Sequence, residues 1–298
     1  MQELNKLIEN EVIIENNIFF SVIIGSSPSK GARSPLLWNY AFKKNGYNYK
    51  MFPLDVKKEN LKNLLELLEK NKYFLGGAIT IPHKEEVFKI MNNNLTEEAS
   101  YIGAVNCMFR DDNYNIKGTN TDGEASLKVF IEKFGSINNK KILLLGPGGA
   151  GKAVSIYFLK ELKNKKNLYI AARSINAKKF INKIKANWLD WNEIQSKINL
   201  FDIIINCTNI GSGTLSEQSP LDLSIINQTK NKVVIYDIIY DPSPTILLKY
   251  AISKKLSILD GKMMNLEQAV IAFDYCLKKN QRKIDTRSSM LEKINLIE

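Results

Sequence analysis

Apolar and polar positions along the chain alternate between two periods. Short apolar runs of strand length, such as Ile18-Phe-Phe-Ser-Val-Ile-Ile24, break off at turns like Gly25-Ser-Ser-Pro28, and between them leucines recur at the spacing of a helix face. The pattern predicts strands at 18–24, 47–52 and 75–81. It predicts helices from Ser34 to Lys44, where Pro35 suits the first turn, and at 57–70 and 83–91. Shorter strands at 104–109 and 114–118 and a helix from Asp122 to Phe134 follow. The second half continues with apolar strands at Ile142-Leu-Leu-Leu145, 167–172, 201–207, 233–237 and 256–259, with helices in the intervals. Such alternation makes a parallel, doubly wound sheet. An amphipathic helix at 263–278 and a weaker one from 279 onward close the chain.

One of these strands ends in a glycine loop that opens a helical pattern, Leu145-Gly-Pro-Gly-Gly-Ala-Gly-Lys-Ala153. Gly146, Gly148 and Gly151 fall on the spacing G-x-G-x-x-G, whose glycines allow a tight turn, close approach of a pyrophosphate and tight helix–strand packing. The phosphates of a dinucleotide would rest on the helix N-terminus. The same letters nearly satisfy a Walker A loop, but Ala153 stands where Ser or Thr would hold magnesium, so a dinucleotide is favoured over ATP. The next strand, 167–172, ends where such a unit meets the adenosine ribose, and an NAD site places Asp or Glu there. This chain offers Arg173 and Ser174, then Lys178 and Lys179, a corner suited to the 2′-phosphate of NADP.

A length of 298 residues predicts two domains, and 44% hydrophobic with 24% charged residues is a globular balance without a bilayer-length apolar run. The first seventeen residues carry acidic side chains and no signal-like apolar block, which predicts an amphipathic extension. Cys107, Cys207 and Cys276 lie far apart, so neither a zinc knuckle nor a disulfide framework is expected, and a reducing, cytoplasmic compartment is. The formal net charge of +11 comes from lysines scattered among Asn and Ile, which favours anionic small ligands over nucleic acid or membrane. His83 is the single histidine and has no metal-ligand spacing around it, so no metal is expected and the side chain reads as partly exposed. A G-x-S-x-G nucleophile elbow is absent.

Hydride chemistry on an alcohol needs a group that exchanges the hydroxyl proton. Lys84 follows the strand end Ala78-Ile-Thr-Ile-Pro82 at the carboxyl edge of a sheet, where ligands of open α/β sheets bind. Asp122, in the polar cluster Lys117-Gly-Thr-Asn-Thr-Asp122-Gly123, is a candidate partner, and Thr121 or Asp122 also suits a helix N-cap. The expected arrangement is a substrate-binding and catalytic domain, 1–121, with helices from 262–298 packing back on it, and a Rossmann NADP-binding domain, 122–261. Short hinges near 118–123 and 238–262 would leave a substrate cleft between them.

These blocks, in this order, resemble the shikimate dehydrogenase family with its quinate/shikimate relatives. Ser34-Pro35 with Asn39 resembles the family's substrate loop, and Thr80-Ile-Pro-His-Lys84 its catalytic-lysine block. Ile102-Gly-Ala-Val-Asn106 and Gly118-Thr-Asn-Thr-Asp122-Gly123 resemble the segments giving a substrate-binding Asn and the catalytic Asp. Gly146 to Gly151, including Gly149 and Ala150, with Arg173-Ser174, resembles the cofactor site, and Asn206-Cys-Thr208 the strand end beside the nicotinamide. Tyr236-Asp-Ile-Ile-Tyr240-Asp-Pro242 and Gly261, Met264 and Gln268-Ala269 complete the series.

The resemblance implies reversible reduction of 3-dehydroshikimate, or a related cyclic keto acid, by NADPH, and a place in aromatic amino acid biosynthesis. It implies that Lys84 and Asp122 handle the proton, that Thr80, Asn106, Asp122, Tyr240 and Gln268 face the ring, and that Ser34 holds the carboxylate. Thr208 and Gly261 are implied on the cofactor side. A monomer or homodimer is expected. The chain departs from the family at Ala32, Ala78, Trp38 and Ser212, and Arg33, turned inward, would replace a serine lost from the substrate loop. Quinate or an amino-shikimate as substrate, or a non-catalytic nucleotide-binding regulator, are the alternatives.

Overall fold

The computed structural model describes residues 2–175, 177–277 and 285–296. The chain divides into two compact units, Met1–Thr121 with Leu266–Glu298, and Asp122–Asn265.

The first unit is built on five strands, β1 Phe20–Gly25, β2 Lys50–Asp55, β3 Phe74–Ile79, β4 Cys107–Arg110 and β5 Ile116–Thr119, in the order β2-β1-β3-β4-β5. β1 pairs in parallel with β2 and β3, and β4 runs antiparallel to both β3 and β5. Every residue of β1 is buried, as a near-continuous apolar run in a central parallel strand requires. β2 starts three residues later than its hydrophobic pattern predicts and contains Pro53, which an edge strand tolerates because only one side of its ladder is used. The helix Leu61–Lys70 turns Leu61, Leu64 and Leu68 inward at helical spacing. Its terminal carbonyls are gathered by Arg110, whose Nη2 donates to Glu69 O (2.8 Å) and Asn71 O (2.9 Å) while Nε donates to Phe74 O (2.8 Å).

The N-terminal segment belongs to this core. A short helix, Gln2–Asn5, leads into an irregular stretch whose Leu4, Ile8, Val12 and Ile14 pack with Phe20, Leu54, Leu64 and Phe74. The Asn10 side chain accepts from Asp55 N–H (2.7 Å) and donates to Pro53 O (3.0 Å), covering part of the β2 edge. A helix absent from the sequence expectation, Glu97–Ile102, is capped by Thr96, whose hydroxyl accepts from Ala99 N–H. At the other end of the chain the helix Thr286–Asn295 lies against the helix Ser34–Lys44, where Tyr40 donates to Glu292 (2.6 Å) and Lys44 pairs with it (3.0 Å). Residues 278–284, where the weaker helix was expected to begin, lie outside the described residues.

The second unit carries six strands, β6 Ile142–Leu145, β7 Leu168–Ala172, β8 Asn187–Asp190, β9 Ile203–Asn206, β10 Val234–Asp237 and β11 Ser257–Leu259, in the order β11-β10-β9-β6-β7-β8. All pairs are parallel, so every carboxyl end lies on one edge, and the order reverses between β6 and β9. That is the switch point of a Rossmann sheet, where nucleotides bind. β8 escapes the sequence pattern because only Leu189 of its four residues is fully buried. The helix Lys262–Leu277 holds the boundary between the units within its first turn. Among the described residues no helix is long and apolar enough to cross a membrane.

Candidate active site

In the first unit, the residues after β3 are fixed largely by backbone contacts. Thr80 N–H donates to Ile24 O (2.8 Å), and its methyl lies where a Cβ on Gly25 would approach to 2.4 Å, so glycine at 25 makes room for Thr80. The Ile81–Pro82 peptide is cis. His83, expected to be partly exposed, is only 3% exposed, with Nε2 2.7 Å from the Val56 carbonyl oxygen. It is a structural tie, because the proline turn points the imidazole back under the sheet edge. Lys84 is half-buried and opens the helix Lys84–Met91, and its carbonyl accepts from Val105 N–H (2.9 Å), holding that helix start to the segment before Asn106.

Asn106 is buried beside Thr121. Its Oδ1 accepts from Thr121 N–H (2.8 Å), its Nδ2 donates to the Thr121 hydroxyl (3.1 Å), and that hydroxyl lies 3.2 Å from the carbonyl oxygen of Gln268. Thr121 therefore links three segments. Ser34 opens the helix Ser34–Lys44 with Arg33 at its N-cap, both half-buried, and the Arg33 carbonyl accepts from Leu36 and Leu37. Trp38, one of the family departures, is a core residue packed edge-on to Phe42 and Phe273.

In the second unit, the glycine loop has the shape its spacing predicts. Gly146 has φ +84°, and Gly151 lies so near it that a Cβ there would stand 2.1 Å from the Gly146 carbonyl oxygen. A Cβ on Gly148 or Gly149 would meet no protein atom within 4 Å, so the loop's outer face is open to a ligand. The helix Gly149–Glu161 begins there, with Ala150 in its first turn and no side-chain cap on its N–H groups. Arg173, Ser174 and Lys178 are exposed just beyond β7. The Arg173 guanidinium lies 4.9 Å from the ring centre of Trp191, and the Lys178 ammonium 5.5 Å from that of Trp188.

A buried polar network spans the ends of β9 and β10. Asn206 Oδ1 accepts from Thr208 N–H (3.0 Å) and from its hydroxyl (2.7 Å), while Nδ2 donates to Asp237 Oδ1 (3.0 Å). Asp237 also accepts from Ile239 N–H (3.1 Å) and the Thr245 hydroxyl (2.8 Å). Burial pushes its carboxyl up to about 6, against the pull of those three hydrogen bonds. Cys207, between them in sequence, is buried, and its thiol is pushed well up for the same reason.

Gly261, expected at the cofactor, packs tightly against Ile238 and Ile239, just after β10. A Cβ there would stand 2.0 Å from Ile238 O, and its N–H donates to Ile239 O (3.0 Å). Tyr240 is 40% exposed. Asp122 is buried and starts the helix Asp122–Phe134 in the second unit, whereas Lys84 lies in the first. Sequence reading overlooked Asp237 and the two tryptophans. The signal for Asp237 was an acidic residue ending the apolar run Val233-Val-Ile-Tyr236; that for Trp191 lay hidden because β8 itself was not recognised.

Two family models match the chain: a shikimate dehydrogenase substrate binding domain over residues 23–108 and shikimate/quinate 5-dehydrogenase over 128–240. The chain is 32% identical over 266 residues to the shikimate dehydrogenase (NADP(+)) of Methanococcus vannielii, covering 85% of this chain and 90% of that protein. It is 36% identical over 247 residues to the enzyme of the same name from Methanococcus maripaludis, covering 81% and 86%. Its fold matches a crystal structure of shikimate 5-dehydrogenase from Listeria monocytogenes in complex with shikimate and NAD, with a TM-score of 0.81 at 24% identity over 95% of this chain and 99% of that one.

Proposed function

The chain belongs to the shikimate dehydrogenase family, and from that membership we propose that it interconverts 3-dehydroshikimate and shikimate with NADP as cofactor. The observation that carries this reading is the open glycine loop at the switch point, followed after β7 by Arg173, Ser174 and Lys178 where an NAD site would place a carboxylate. Gly146, Gly148, Gly149, Ala150 and Gly151 would cradle the pyrophosphate. Arg173, Ser174 and Lys178 would hold the 2′-phosphate, with Thr208 toward the nicotinamide end. NADPH, when bound, supplies the hydride.

The chain's own residues bind the ring and move the proton. Lys84 donates a proton to the oxygen of the reduced carbonyl and regains it in the reverse direction, sharing this work with Asp122. Thr80, Asn106, Tyr240 and Gln268 meet the ring hydroxyls, where each buried group left unpaired would cost ~1–3 kcal/mol. Ser34 and Arg33 take the carboxylate. Gly261 acts on the cofactor side through its packing against Ile238 and Ile239 after β10. The altered loop around Ala32 and Arg33 keeps quinate as a second reading, because a guanidinium fits any ring carboxylate. The buried, unpaired cysteines fit a reducing compartment such as the cytoplasm.

The test is NADPH oxidation with 3-dehydroshikimate, run beside NADH and beside 3-dehydroquinate. NADPH should be the better donor and 3-dehydroshikimate the better acceptor. Lys84→Ala should lower kcat ~100- to 10,000-fold with little change in the KM for NADPH. Adding Asp122→Asn to it should cost less than the same change does alone. A Lys84→Ala enzyme with near-normal turnover, or two fully additive losses, overturns the shared proton role.

A further inference from the structure

We propose that Trp191 is a positioning residue that sets nucleotide specificity, by holding the Arg173 guanidinium face-on so that its edge donors are presented to a 2′-phosphate. The inference rests on the reading of the corner after β7 as the NADP end of the site. It begins in strand register. β7 and β8 pair in parallel with Ala172 opposite Asp190, so the residues that follow, Arg173 and Trp191, emerge side by side from the carboxyl edge. The contact is therefore dictated by the sheet.

The indole is anchored and the guanidinium is not. Trp191 is half-buried against the core cluster that contains Leu189, Ile194 and Ile198. Its turn is fixed by Asp190, whose carboxylate accepts from Asn192 N–H (2.9 Å). That bond also engages the one acidic side chain next to Trp191 on this strand. Arg173 is exposed, and among the described residues no carboxylate pairs with it. The guanidinium centre lies over the indole, 4.9 Å from its ring centre, close enough for the two to stack. A guanidinium carries its five N–H donors in its plane, so stacking orders the side chain while leaving those donors directed outward.

The pairing of a cation with an aromatic ring recurs in this unit. Lys178 lies over Trp188 of β8, and Lys152, in the helix that the glycine loop opens, lies 5.9 Å from the ring centre of Phe180. Each of the three cations has an aromatic ring beside it. A cation ordered before the ligand arrives loses less freedom on binding, and that saving is realised only by the ligand that bears the extra phosphate. Trp191 should thus raise affinity for NADP and leave NAD unchanged.

The experiment compares Trp191→Leu, Trp191→Phe and Arg173→Ala in the full chain. Binding of adenosine 2′,5′-bisphosphate and of AMP is measured by calorimetry, beside kcat/KM for NADPH and NADH. Trp191→Leu should weaken the bisphosphate and lower kcat/KM for NADPH about 3- to 20-fold, with AMP and NADH changed less than twofold. Combined with Arg173→Ala it should add nothing further. Should Trp191→Leu fail to fold, Trp191→Phe carries the test with a smaller ring and an expected loss of about twofold to threefold in bisphosphate affinity alone. If Arg173→Ala itself leaves the preference for NADP intact, the reading of the corner is wrong. If Arg173→Ala abolishes that preference while the Trp191 variants keep it, strengthen it or weaken both nucleotides equally, the role of Trp191 is overturned.

Discussion

Asn106 in the first unit and Asn206 in the second each grip a threonine by both its N–H and its hydroxyl. The contacts are 2.8 and 3.3 Å to Thr121 and 3.0 and 2.7 Å to Thr208. Both asparagines are buried at a strand terminus, Asn106 just before β4 and Asn206 at the end of β9. The groups next in line differ. Thr121 reaches the neutral carbonyl of Gln268, whereas Asn206 donates to the buried carboxylate of Asp237. Hydrogen bonds between neutral groups keep their strength at any pH that leaves the fold intact. A network built on a buried carboxylate holds more tightly per bond, but it carries a desolvation cost that protonation relieves.

The largest effect should follow from removing that carboxylate. Asp237→Ala leaves the Asn206 amide, the Ile239 N–H and the Thr245 hydroxyl without their acceptor in a buried place. Each orphaned donor costs ~1–3 kcal/mol, and because they relax together the sum is about 3–5 kcal/mol. Urea unfolding gives the total. Hydrogen exchange should place the loosening at 206–210 and 237–248 and leave amides around Asn106 protected. A loss below about 1 kcal/mol would show that other groups take over.

Next in size is the pH response. The Asp237 carboxyl is raised from its ordinary value near 3.8 to about 6, so folding favours its protonated form. Its contribution to stability is full below the unfolded value and is lost as pH rises through about 6, by up to ~3 kcal/mol. Asp237→Asn keeps acceptors for Asn206 and Ile239 and turns an amide toward Thr245, whose hydroxyl can accept. Relative to wild type, that variant should gain stability steadily between pH 4 and 7, as measured by urea midpoints at each pH. Asn106→Ala should run parallel to wild type over the same range. A constant difference between wild type and Asp237→Asn defeats the assignment.

How much of this was legible follows from which contacts are local. The glycine loop and the helices Ser34–Lys44 and Asp122–Phe134 were readable because spacing along the chain determines them. The threonine grips were half-readable: Asn106, Thr121 and Thr208 were singled out, but not the contact that joins Asn106 to Thr121 across 15 residues, nor the one that joins Asn206 to Asp237 across 31. The partners that bury Asp237 were not readable, since Thr245 and Asn206 arrive from two other segments, although its place at the end of an apolar run was a local signal. His83 was misjudged because exposure after a proline depends on where Val56 lies. The N-terminal segment was read as an extension because its apolar residues, Leu4, Ile8, Val12 and Ile14, are spread over turns and show their common face only against Phe20 and Phe74. Trp191 required recognition of β8, a strand too short and polar to stand out.

The smallest effects, and the finest test of the comparison, come from removing one hydroxyl in each network. Thr208→Val loses a bond donated to Asn206 and one accepted from Ile210 N–H (3.1 Å), at a half-buried position that water can reach. It should cost about 1 kcal/mol. Thr121→Val loses contacts to Asn106 and Gln268 where no water reaches, since Thr121 is fully buried, so it should cost about 2 kcal/mol. The kinetic consequences should separate by unit. If Thr208 lies on the cofactor side, as proposed above, its variant should raise the KM for NADPH about twofold to fivefold and leave that for the ring acid alone. Thr121→Val should do the reverse, because the carbonyl it releases belongs to Gln268, proposed above to meet the ring. If both variants shift the two Michaelis constants together, the networks do not act as separate supports, and the parallel between Asn106 and Asn206 is one of geometry without a division of labour.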